Sequence, residues 1–178
     1  PVNNGPNCNH GGDHGFHNRN WTLKEHTDRS ATFAYLSADG EAGFPGNLTV
    51  EAQYEWTDAD ELKLTLKATT DAPTVVNLTN HAYWNLAGHD SGSVLGHELM
   101  LAATRYLPTD ETLIPTGELA PVDATPMDFR SFKAIGRDIR ADFPALKIGK
   151  GYDACWAVDG YGPGEVRTVA TLRHADSG

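Results

Sequence analysis

The sequence predicts an all-β chain: an antiparallel β-sandwich with at most one short helix. Three observations carry this expectation. Leu48, Val50, Ala52, Tyr54 and Trp56 alternate with Thr49, Glu51, Gln53 and Glu55, the period of a half-buried strand. Leu62, Leu64 and Leu66 alternate with Lys63, Thr65 and Lys67, and the intervening Asp58-Ala59-Asp60 is a turn, so the two runs read as a hairpin. Further short runs follow at similar spacing between turn signals, with no β–α–β alternation and no Gly-rich phosphate loop.

Size and charge narrow the function classes. At 178 residues the chain suits a single domain spanning 1–178 with a real core. With 24 acids against 14 bases the formal net charge is −10, which argues against nucleic acid or an anionic membrane as a partner. No apolar run approaches a membrane span and no charged leader with an apolar segment opens the chain, so a cytoplasmic protein is expected. Cys8 and Cys155 are too few for a disulfide framework and are expected as free thiols. Asn20, Asn47 and Asn77 each begin an Asn-x-Ser/Thr triplet, a pattern common by chance.

Taken in order, residues 7–17 form a glycine-rich loop, with Gly11, Gly12 and Gly15 permitting unusual backbone angles. Its histidines, His10, His14 and His17, invite a metal hypothesis. Their spacing is not that of a helical zinc site, and no metal is expected there. The other reading brings the backbone close to a ligand with His10 aimed at it, leaving His14 and His17 solvated. Thr32–Leu36 reads as a short aromatic strand, and 37–46 as a turn-rich connection marked by Asp-Gly and Pro-Gly. After the hairpin, Thr70-Asp71-Ala72-Pro73 turns the chain into a strand running towards His81. Glu98–Ala103 reads as a strand, residues 104–118 as extended edge pieces and 123–128 as a loop. Phe132, Ile135, Ile139 and Phe143 carry the best helical period, which predicts a short helix within 129–143 ended by Pro144. A final strand is expected over 166–172.

The stretch Asn77-Leu78-Thr79-Asn80-His81-Ala82-Tyr83-Trp84-Asn85-Leu86 is the most informative. Val75, Asn77, Thr79 and His81 share one face of an extended chain, where a core strand would place Val, Ile and Leu. Polar groups among aromatic rings suit a sugar, whose hydroxyls seek Asn, His and Asp and whose C–H face seeks a ring. A lone strand histidine is, however, commonly a core group hydrogen-bonded by a neighbour, here Asn77 or Asn80. Gly151-Tyr152-Asp153 again sets an acid beside aromatics, although an aspartate after glycine is also an ordinary turn residue.

These pieces resemble, in order, the blocks of the aldose 1-epimerase (galactose mutarotase) family. His10-Gly11-Gly12 with Gly15-Phe16 and Trp21 is similar to that family's His-Gly-Gly loop. Asp39-Gly40-Glu41 through Leu48, the stretch 77–86, 107–110 with 114–117, Thr125-Pro126-Met127-Asp128-Phe129 and Gly151-Tyr152-Asp153 resemble further blocks. The resemblance implies a galactose-mutarotase-type β-sandwich and interconversion of the α and β anomers of a free hexose such as galactose or glucose, with no cofactor. It implies His81 as the acid at the ring oxygen, which suits an imidazole that gives and retakes a proton near neutral pH. It implies His10 beside the ring oxygen, Asp153 as acceptor for sugar hydroxyls, Asn80 as support for His81, and Trp84 as cleft wall.

The resemblance also has gaps. The family's general base is a glutamate in a C-terminal segment, and its substrate-binding arginine precedes the His-Gly-Gly loop. No residue here matches either, and Glu98, Glu118 and Glu165 stand outside the matching context. The chain is therefore expected to be a shortened form of the family domain, with weak or absent turnover. Its open sheet edges are expected to pair with a second copy or another chain. A sugar-binding module without turnover is the alternative, followed by a metal-dependent enzyme using His10, His14 and His17.

Overall fold

The structure, a computed structural model, describes residues 1–177. The chain divides into two compact units, Pro1–Ala82 and the residues from Tyr83 onward.

The first unit is one antiparallel sheet of four strands: β1 (Thr22–His26), β2 (Ser30–Ser37), β3 (Leu48–Trp56) and β4 (Leu62–Thr70), in the order β1-β2-β3-β4. The predicted hairpin is β3–β4, in register from Leu48 opposite Thr70 to Trp56 opposite Leu62. Its loop closes where the Thr57 N–H donates to the Glu61 carbonyl at 3.0 Å, with Asp60 in the left-handed conformation that aspartate tolerates (φ 59°). The alternation sends Leu48, Val50 and Ala52 inward. Val50 is fully buried, worth about 1.5–3 kcal/mol for such a side chain. β1, with Lys24, Glu25 and His26, has no apolar period and was not legible; all five of its residues are exposed. It is held by its ladder to β2 and by a Lys24–Glu51 ion pair at 2.5 Å.

Asn47 ties the start of β3 to both neighbouring turns. Its side-chain oxygen accepts from the Asp39 N–H at 3.0 Å, and its Nδ2 donates to Asp71 Oδ2 at 2.7 Å. The Asn47 side-chain and backbone donors hold the Asp71 carboxyl below the usual carboxylate range.

The second unit has two three-stranded antiparallel sheets. One is β10-β5-β8, from β5 (Glu98–Leu101), β8 (Lys133–Ala134) and β10 (Ala170–Arg173); the other is β7-β6-β9, from β6 (Arg105–Leu107), β7 (Ala120–Pro121) and β9 (Cys155–Ala157). Tyr106, Val122, Met127 and Leu146 form its buried core, with Phe143, Tyr152 and Trp156 packed against them. Among the described residues the single α-helix is α1 (Pro144–Gly149), and no helix is long and apolar enough to cross a membrane.

The final strand expected over 166–172 is present only as Ala170–Arg173, and two further elements differ from expectation. The predicted helix within 129–143 is instead the short strand β8 followed by turns, and the helix starts where it was expected to stop. Pro144 occupies the first helical turn, where a missing N–H costs nothing and a fixed φ helps. Gly136 cannot be in a helix here, because its N–H donates to the Leu95 carbonyl across the unit at 2.8 Å. The expected strand into His81 forms no ladder: residues 73–81 belong to no strand, and Val75 is 75% exposed. Side-chain alternation describes an extended chain, but a strand also requires a partner for its backbone groups.

Candidate functional site

The His10 loop is shaped by backbone conformation. His10, Gly11 and Gly12 lie consecutively in the left-handed region, with φ of 52°, 82° and 84°. Glycine adopts this freely and histidine does so seldom, so the loop folds back sharply at its imidazole. The fold-back presses Gly15 onto the loop: a Cβ there would stand 2.1 Å from the His10 carbonyl oxygen. Gly15→Ala is expected to cost about 1–3 kcal/mol through overpacking and to displace His10. Thermal unfolding would measure the first effect, and the ring NMR signals of His10 and His81 the second.

An aromatic and ionic cluster anchors the far end of this loop to β2. Phe16 and Trp21 pack against Tyr35 at 5.6 and 5.8 Å, and Trp21 Nε1 donates to the Phe16 carbonyl at 3.0 Å. Tyr35 Oη donates to Glu41 Oε1 at 2.7 Å, and Arg19 pairs with the same oxygen at 2.5 Å. Burial alone would push the Glu41 carboxyl up; hydrogen bonds from Ser37 and Tyr35 and the Arg19 charge hold it below its usual range.

This loop meets the Asn80-His81 stretch. The rings of His10 and His81 lie 5.2 Å apart at 79°, edge to face. His81 is exposed, not a core group, and Asn80 Oδ1 accepts from the Ala82 N–H at 3.0 Å to close the local turn. Two imidazoles separated by 70 intervening residues thus share one exposed spot. Paired imidazoles can hydrogen-bond and exchange protons with a polyhydroxyl ligand. His14 and His17 do not complete a metal site: among the described residues, no three His, Cys, Asp or Glu groups are placed to hold an ion.

In the second unit, Trp84 is 65% exposed and precedes the expected turn, which closes where the Gly88 N–H donates to the Asn85 carbonyl at 3.1 Å. The Leu86 N–H donates to His97 Nε2 at 3.1 Å, and Ser177 Oγ donates to the Leu86 carbonyl at 2.8 Å. His97 is 1% exposed and its ring lies 4.7 Å from that of His174. Because Nε2 accepts, the geometry assigns the proton of a neutral His97 to Nδ1. A histidine before a short strand gives no signal of this role.

Asp153 hangs on an aromatic scaffold. Tyr152 Oη donates to the Pro126 carbonyl at 2.9 Å, and Trp156 Nε1 to the Met127 carbonyl at 3.0 Å. Lys133, only 7% exposed, shares the Pro126 carbonyl at 2.6 Å, pairs with Asp138 at 3.1 Å and lies 4.0 Å from the centre of the Phe129 ring. Burial pushes the Tyr152 phenol up to about 12, with the Asp138 charge adding to the effect. Asp153 itself is exposed and lines a recess of about 260 Å³ with Leu107, Thr109, Leu113, Pro115 and Cys155. Cys8 and Cys155 are both free and exposed.

The sequence model of the family described as aldose 1-epimerase matches residues 1–178. This chain is an aldose 1-epimerase family member. It is 43% identical over 172 residues to the aldose 1-epimerase of Escherichia coli K12, covering 97% of this chain and 49% of that protein. It is 40% identical to the galactose mutarotase of Homo sapiens, covering 99% of this chain and 49% of that one. Among solved structures, a galactose 1-epimerase from Lactobacillus acidophilus NCFM matches with a TM-score of 0.85 and 31% identity, over 98% of this chain and 50% of that chain. An aldose epimerase homologue from C. elegans matches with a TM-score of 0.81 at 31% identity. The antiparallel fold is therefore that of the galactose epimerases, as the resemblance implied, and the chain spans about half the length of the curated relatives it matches. In this family member the structure brings His10 and His81 together, turns the Asn80 side chain to the Ala82 N–H and places Asp153 in a recess.

Proposed function

We propose that residues 1–178 are part of one mutarotase-like domain that binds a free hexose and interconverts its anomers. The observation that carries this reading is the His10–His81 ring pair, 5.2 Å apart on an exposed surface. His81 gives a proton to the ring oxygen as the C1–O5 bond breaks, while a base takes the proton of the C1 hydroxyl, leaving a C1 aldehyde. Rotation about C1–C2 turns the other carbonyl face to the O5 hydroxyl. Ring closure returns the proton to His81 and reprotonates the C1 oxygen. His10 places the sugar beside the ring oxygen. Asp153 accepts from sugar hydroxyls, Asn80 supports His81, and Trp84 offers its ring to the C–H face. No residue of this chain is assigned as the base, and no cofactor takes part. The names of the relatives, aldose 1-epimerase and galactose mutarotase, support galactose and related hexoses as substrates. The exposed free cysteines fit a reducing, cytoplasmic setting.

Polarimetry tests the reaction. Freshly dissolved α-galactose should approach its equilibrium rotation faster with this chain than in buffer. Binding of galactose without acceleration would leave a sugar-binding module, and absence of both would end the sugar reading.

The sheet order leaves β1 and β4 at edges within the first unit. We assign β4, at nine residues, as a pairing edge for a second copy or another chain. The expected result is a sedimentation coefficient that rises with concentration; a value constant across the range would remove pairing between copies.

A further inference from the structure

Leu113 is the unusual residue of the Asp153 recess. Its φ is 66°, in the left-handed region that a bulky side chain seldom enters. The surrounding loop over-determines this conformation. Asp110 Oδ1 accepts from the Thr112 N–H at 2.8 Å, from Thr112 Oγ1 at 2.7 Å and from the Ile114 N–H at 3.1 Å. The Asp110 N–H donates to the Ile114 carbonyl at 2.9 Å, and the Leu113 N–H to the Asp110 carbonyl at 3.1 Å. A glycine or asparagine would occupy this corner with less strain. The leucine instead lines the recess that Asp153 also lines, while remaining 36% exposed. A strained conformation held by several bonds beside a recess points to use of the side chain, since packing alone would not need it partly in solvent.

We propose that Leu113 is a specificity-determining wall of this recess, giving the apolar C–H surface of a pyranose a contact while Asp153 takes its hydroxyls. This rests on the sugar reading of Asp153. Loss of the leucine then costs affinity but not stability, because the backbone strain is relieved at the same time.

The test measures galactose affinity and thermal midpoint for the 178-residue chain and for Leu113→Gly, Leu113→Asn and Asp153→Asn. Both Leu113 variants are expected to weaken binding about tenfold, with midpoints equal to or above that of the parent. Binding unchanged in both Leu113 variants but weakened in Asp153→Asn would overturn the role of Leu113 and leave the Asp153 reading intact. Binding unchanged in all three, or no binding by the parent chain, would overturn the Asp153 reading and the wall with it. A lowered midpoint in both Leu113 variants would make the leucine a structural residue and also end the proposal.

Discussion

Replacing His81 by alanine is expected to slow anomer interconversion by about 10²–10⁴-fold, the usual consequence of removing a general acid. The argument begins from exposure. His81 is a surface residue, so its truncation should change stability by less than about 0.5 kcal/mol. Loss of rate would then be chemical rather than a symptom of unfolding. Its ring neighbour, His10, supplies the comparison, since the two rings touch edge to face. If His10 places the sugar and His81 moves the proton, His10→Ala should chiefly raise KM and His81→Ala should chiefly lower kcat. Polarimetry over a range of galactose concentrations separates the two. Unchanged kcat in a folded His81→Ala protein would remove His81 from the role of acid. If the parent itself shows binding without turnover, the same pair is compared by affinity, and only sugar contact is at issue.

Phe129→Ala should be the most damaging single truncation for the fold of the second unit. Phe129 is 1% exposed, and such a change commonly costs about 3–5 kcal/mol. The damage is also directed. The Phe129 ring packs against Tyr152 at 4.9 Å and Trp156 at 5.9 Å, and Lys133 Nζ sits over its face. Those three side chains hold the Pro126 and Met127 carbonyls and so fix the chain on either side of Asp153. Phe129→Ala should therefore lower the denaturation midpoint and flatten the near-ultraviolet circular dichroism of Tyr152 and Trp156. Phe129→Leu, which keeps most of the volume, should cost much less. Equal midpoints for the alanine and parent proteins would contradict the packing described.

Elements whose pattern coincides with their pairing were legible in the sequence. Leu48 to Trp56 and Leu62 to Thr70 alternate in exposure, with Leu48, Val50 and Ala52 buried and Leu64 and Leu66 half-buried, and their ladder follows from the turn between them. The failures share a cause: they depend on partners distant in sequence. The period of Phe132, Ile135, Ile139 and Phe143 suggested a helix, but Ile135 and Gly136 give their N–H groups to residues 97 and 95. The stretch before His81 alternates correctly and still forms no ladder. Of the candidate site, the residue types at 10, 80, 81, 84 and 153 could be read, and the family blocks ordered them. The proximity of His10 to His81 followed only from the resemblance, which sets both at the ring oxygen; residue patterns carried neither it nor the support given by His97 and Lys133. Buried polar groups such as these carry no periodic signal, because each is placed by individual partners elsewhere in the chain.

The staple made by Asn47 bears on where this chain can be produced. Asn47-Leu48-Thr49 is an acceptor triplet for N-linked glycans, and the nitrogen that would carry the glycan is the Nδ2 that donates to Asp71. Once β3 and β4 are paired, that nitrogen is engaged. In a secretory host the modifying enzyme meets the chain earlier, as it emerges unfolded. A glycan added then would stand where the Asp71 carboxylate belongs, and the sheet would have to close around it. Synthesis in a compartment without glycosylation leaves this corner free to form.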